Sequence, residues 1–136
     1  MLRLLPLALL LLPLAACDST EDDGPVDPIG VSQTFEVRYL VEGTYTGDGC
    51  AIEYRKADRS LVSLEKQELP WEVIEQVKIT DQGDESVFNA SLKSTCEDPD
   101  REGKATVSLF ISGALRATQT TTGPGELAQV QFSLRI

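Results

Sequence analysis

The chain has 136 residues, 12 basic and 22 acidic, with no histidine and a net charge of −10. That length supports one folded domain with a single core. The acidic balance argues against a nucleic-acid partner, whose phosphates repel it, and against electrostatic docking on anionic lipid. The lack of histidine removes the side chain most often used as a base near neutral pH in acyl transfer and hydrolysis.

The chain opens with Arg3, then an apolar run from Leu4 to Leu14 broken only by Pro6 and Pro13, then Leu14-Ala15-Ala16-Cys17. Basic, apolar, small is the order of a secretory signal, and the run is too short to span a bilayer as a mature helix. Leu-Ala-Ala-Cys also resembles the bacterial lipobox. The resemblance implies a signal peptide over residues 1–16, cleavage before Cys17 and lipidation of the Cys17 sulfur. Cleavage would remove 16 of 136 residues, leaving 120, and the loss of Arg3 would take the charge from −10 to −11. The competing reading is an ordinary secretory signal whose cysteine pairs in a disulfide. Each buried methylene contributes about 0.8 kcal/mol, and two acyl chains already hold a protein on a membrane. The expected location is therefore the bacterial cell envelope, periplasmic or outer-membrane, with the membrane itself a partner through the lipid. Asp18 resembles an inner-membrane retention signal, whereas the whole Asp18–Asp23 run resembles a surface-export signal, so the leaflet stays open.

Residues 17–32 carry the modified cysteine and an acidic spacer, in which Gly24, Pro25, Pro28 and Gly30 accompany Asp, Glu, Ser and Thr. With almost nothing to bury, this stretch is expected to be a disordered tether. The folded domain is expected over residues 33–136, where the period becomes two. Phe35, Val37, Tyr39 and Val41 alternate with charged residues up to Gly43. After the Gly47-Asp48-Gly49 turn, Cys50, Ile52 and Tyr54 alternate again, and a second break at Ala57–Ser60 precedes Leu61 to Leu69. Pro70 marks a strand end or edge, and Trp71 is expected to plug the core beside it.

Val73, Val77 and Ile79 follow, interrupted at Glu75, and then an Asp81–Asp84 turn. Phe88, Ala90, Leu92 and Cys96 mark another strand. The clearest hairpin runs from Ala105, Val107, Leu109 and Ile111 through Ser112-Gly113, with Leu115 and Ala117 returning. Alternation through Ala128, Val130, Phe132 and Leu134 reaches Ile136. Seven or eight short strands without helical periodicity predict an all-β, antiparallel, Ig-like β-sandwich.

Cys50 and Cys96 become an even pair once Cys17 is lipidated, and both fall on the apolar phase of their strands. In an exported chain a disulfide is the default, inside the sandwich or tying two strand ends. A loop of this length would stabilise by roughly 4 kcal/mol on the chain-entropy model. The alternative, a pair of metal-ligating thiolates, lacks histidine and a close cysteine neighbour, so no metal or other cofactor is expected.

Other candidates carry less. Glu97–Asp100 and Asp81–Glu85 offer oxygens to calcium but lack the length and alternation of an EF-hand loop, and turns need such residues anyway. Asn89-Ala90-Ser91 matches a glycosylation pattern inside an expected strand. Thr118–Thr122 reads as a strand end with a loop. A glycosidase-like carboxylate pair is the one catalytic arrangement left to weigh, and the acidic residues cluster instead in turns and tether.

The succession Phe35–Gly43, Cys50–Tyr54, Leu69-Pro70-Trp71, Phe88–Leu92 and Ala105–Leu115 resembles the MmpS-like proteins, small mycobacterial membrane proteins that accompany large lipid exporters. It is also similar to a set of small bacterial lipoproteins. The resemblance covers about residues 35–134. It implies the sandwich fold and an accessory role beside an envelope transporter, and it supplies no catalytic residues. The expectation is thus a non-enzymatic, lipid-anchored envelope protein that binds a partner protein. A small-ligand or lipid carrier and a carboxylate-based hydrolase are the alternatives.

Overall fold

Alternating apolar residues need one face covered, and eight strands cover each other as two stacked sheets. In the computed structural model, which describes residues 30–45, 49–97 and 103–136, the strands are β1 Ser32–Gly43, β2 Cys50–Arg55, β3 Leu61–Gln67 and β4 Trp71–Thr80. They continue as β5 Val87–Cys96, β6 Ala105–Ile111, β7 Ala114–Thr121 and β8 Leu127–Arg135, with one 3-10 turn at Gly83–Ser86. Sheet A has the order β4-β1-β6-β7 and sheet B the order β3-β2-β5-β8, with antiparallel neighbours throughout. The all-β sandwich is as expected. Its strand order is its own: in the immunoglobulin constant-type arrangement the first two strands pair, whereas here β1 and β2 belong to different sheets.

The core is the inward phase of both sheets. Sheet A contributes Val37, Tyr39, Val41, Val77, Ile79, Val107 and Leu109, and sheet B answers with Ile52, Phe88, Ala90, Leu92 and Ala128, all essentially without exposure. Burying one such aliphatic or aromatic side chain stabilises by about 1.5–3 kcal/mol, so this interface carries the fold. Tyr39 spans the layers: its hydroxyl donates to the Arg55 carbonyl at 2.7 Å. A tilted aromatic row continues from Tyr39 to Tyr54 (5.5 Å) to Trp71 (5.4 Å) beside the Leu69–Pro70 cis peptide, with Trp71 partly buried against the core as expected.

The two sides of the sandwich are closed differently. Between β7 and β8, the Gln129 amide donates to Gln119 Oε1 at 2.7 Å, and the Arg116 guanidinium lies 5.7 Å from the centre of the Phe132 ring. On the β3–β4 side the interruption at Glu75 finds its reason. Its carboxylate points to the β2–β3 turn and accepts the Ala57 amide at 3.1 Å.

Two local devices set the register. Ser112 and Gly113 both have positive φ, the two-residue turn whose twist suits a hairpin. In β3, Glu65 and Lys66 together oppose Ala51, and Lys66 takes φ 54°. Such a bulge bends the β3 edge and makes it a poor template for another strand. Gly49 (φ 93°) faces that bulge, and a Cβ there would lie 2.7 Å from the Lys66 carbonyl carbon, so glycine is required.

Candidate functional site

Cys17, the lipidation residue, lies outside the described residues, as do residues 1–29, 46–48 and 98–102. Cys50 and Cys96 are brought together. They sit directly opposite each other in the β2–β5 ladder, Cα atoms 4.2 Å apart and sulfurs 2.03 Å apart, at disulfide distance. Cys50 opens β2 and Cys96 closes β5, so the link ties two strand ends within sheet B rather than joining the sheets. Both are buried.

The calcium candidate Glu97–Asp100 lies outside the described residues beyond Glu97, and the remaining motifs are ordinary parts of the fold. Asp81–Glu85 forms the 3-10 turn and its approach, where the Asp81 amide donates to the Val31 carbonyl. Asn89 lies in β5 and accepts a hydrogen bond from the Ser133 hydroxyl at 2.7 Å. The threonine run is mostly strand β7: Thr118 and Thr120 meet Ser108 (3.1 Å) and Thr106 (2.8 Å) in a hydroxyl ladder on sheet A. Among the described residues no three His, Cys, Asp or Glu side chains converge as a metal site, and no helix is long and apolar enough to cross a membrane. Asp58 is held below the usual carboxylate range, first by the Ser60 hydroxyl and then by the Ser60 amide, which is the chemistry of a tight turn.

What remains distinctive is the two outer faces. Across sheet A, four residues from four strands align in register: Ile74 (β4), Arg38 (β1), Phe110 (β6) and Leu115 (β7). Ile74 is 48% exposed and Leu115 53%, although an outward position normally takes a polar side chain. Arg38 lies 5.0 Å from the centre of the Phe110 ring and is tied to Glu72 through Nε (2.8 Å) and Nη2 (2.6 Å). A cation fixed over an aromatic ring is pre-organised, since its rotamer entropy is already spent. Leu115 belongs to this face for a specific reason. Leu109 pairs with Ala117 and Phe110 with Leu115, leaving Arg116 as an extra residue. The bulge turns Leu115 outward and Ala117 inward, and it aims Arg116 at Phe132 in the other sheet. Strict alternation places Leu115 and Ala117 together; the bulge separates them.

Sheet B's outer face holds a groove of about 400 Å³ instead. Its floor is short and polar, with Asn89 and Ser91 from β5, and Gln131 beside them on β8. Arg55 and Lys93 stand at its walls with Glu53, whose carboxylate holds Lys93 at 3.3 Å. Arg55 is fixed from the side, its Nη1 donating to the Arg59 carbonyl at 2.7 Å, and its Nε is buried without a partner. Neither face was foreseen from sequence, because each is assembled from strands distant along the chain. The available signal was an apolar residue on a strand's polar phase, as at Ile74 and Phe110.

No family model matches the chain. No curated protein matches it either.

Proposed function

We propose that this chain is a lipid-anchored protein of a bacterial cell envelope that binds another envelope protein without chemistry of its own, in the manner of an accessory to an envelope transporter. The anchor is Cys17, and the supporting residues are those of the Leu14–Cys17 motif. The observation that carries the binding role is the aligned row Ile74–Arg38–Phe110–Leu115 on sheet A. Exposed apolar side chains around a fixed arginine and an aromatic ring are the composition of a protein-binding hot spot. A protein fits this row better than a lipid surface does, because a chain of charge −10 is repelled by anionic leaflets.

The test replaces Leu115 with a photo-reactive amino acid in the full chain and irradiates intact cells. The expected result is a discrete adduct, identified by mass spectrometry as an envelope protein, that disappears when Phe110→Ser is added. No adduct, or one indifferent to Phe110→Ser, overturns the binding reading.

A further inference from the structure

We infer that the groove on the outer face of sheet B binds a short, carboxylate-bearing oligosaccharide. This goes beyond the protein-binding reading and does not depend on it, since the two surfaces lie on opposite sides of the sandwich. The floor supplies hydrogen-bonding groups of the type that recognise hydroxyls: the Asn89 amide nitrogen, whose oxygen is already taken by Ser133, the Ser91 hydroxyl and the Gln131 amide. Asn89 to Lys93 along β5 extends about 13 Å, the reach of a ligand longer than one sugar ring.

Charge selects the ligand further. In a chain of net charge −10, the groove has two cations, Arg55 and Lys93, against the one lining carboxylate, Glu53. Lys93 and Glu53 neutralise each other at 3.3 Å, so Arg55 is the uncompensated charge. It is also the best-held one. Its own carbonyl accepts the Tyr39 hydroxyl and its Nη1 is fixed on Arg59, so the guanidinium is presented to the groove at little further entropic cost.

An acidic peptide is the other polyanion to consider, and the groove suits it less. Peptides dock by adding a strand to a free edge or by filling apolar pockets. Here the groove lies on the face of the sheet, over β2 and β5, which are paired on both sides, and not along the outer edge of β8, and Leu61 is the exposed apolar side chain at its wall.

Calorimetric titration of the full chain in detergent micelles tests this with a short oligogalacturonate, its methyl-esterified neutral counterpart, and a glutamate peptide of equal charge. The expected result is saturable binding of the oligogalacturonate with a Kd of about 1 mM or tighter, and at least tenfold weaker binding of both comparators. Arg55→Gln and Gln131→Ala should each weaken binding, the first by about tenfold or more, a loss of about 1.4 kcal/mol. Gln131 is exposed and outward-facing, so that variant separates loss of ligand contact from loss of fold, with unchanged thermal melting as the check. Absence of saturable binding, equal binding of the peptide or the neutral sugar, or indifference to Gln131→Ala overturns the inference.

Discussion

Sheets A and B share one core and finish their outer faces differently, although each mixes exposed apolar side chains (Leu61 and Leu127 on sheet B) with hydroxyls (Thr106, Ser108, Thr118 and Thr120 on sheet A). The outward phase of sheet A carries Ile74, Phe110 and Leu115 around Arg38, while that of sheet B carries hydroxyls and amides between Arg55 and Lys93. The inward phases are interchangeable in kind, because each must bury apolar surface against the other. The outward phases are under no such demand, so their departures from ordinary polar surface are where binding is to be read. The sheets also differ in how they are held: sheet B has a sulfur link between its central strands, and sheet A relies on its ladders alone.

That difference gives the largest expected effect. Cys50→Ser removes the sulfur link between β2 and β5 and should lower stability by about 2–4 kcal/mol, seen as a fall of several degrees in Tm. Hydrogen exchange should accelerate in β2 and β5 before β1 and β6. Equal acceleration in both sheets would mean the link serves the whole sandwich and would erase the contrast.

An intermediate effect belongs to Tyr39, the hydrogen-bonded tie between the layers. Burial pushes its phenol well above the ordinary value of 10.0, with the Ser91 backbone opposing that rise and Glu75 adding to it. The folded state therefore keeps its proton where the unfolded chain releases it. This contribution is fully present below about pH 10 and is lost as the pH rises beyond it. Tyr39→Phe should cost about 0.5–1.5 kcal/mol at neutral pH and flatten the alkaline decline. Urea denaturation at pH 8 and pH 11 measures both, and an alkaline slope unchanged in the variant would remove Tyr39 from the account.

The smallest effects should come from the outer faces. Leu115→Ser on sheet A and Lys93→Gln on sheet B should each leave stability within about 0.5 kcal/mol, because neither side chain supports the core. A loss several times larger at Leu115, measured by denaturant titration, would make that row a structural feature and not a binding one.

The inward phase was legible in the sequence because period-two alternation is a local signal. The strands from Phe35, Cys50, Phe88 and Ala105 emerge where the alternation puts them, and the Ser112-Gly113 hairpin follows from turn chemistry. The pairing of Cys50 with Cys96 was legible by arithmetic, once Cys17 was assigned elsewhere. What was not legible depends on contacts between distant segments. Glu75 breaks its strand's pattern because Ala57, 18 residues away, needs an acceptor. Leu115 changes face because one extra residue is inserted opposite Leu109 and Phe110. The groove needs Arg55, Asn89 and Gln131 side by side, which the strand order β2-β5-β8 supplies and no local pattern announces.

The proposed envelope role rests first on the lipid anchor at Cys17. Intact-mass measurement of the protein extracted from membranes, wild type beside Cys17→Ser, tests it most directly. The wild-type chain should begin at Cys17, carry the added mass of its acyl chains and partition into detergent, and the Cys17→Ser chain should remain an unprocessed precursor. A wild-type chain without lipid mass that partitions into water, or a Cys17→Ser chain still cut before residue 17, would contradict it.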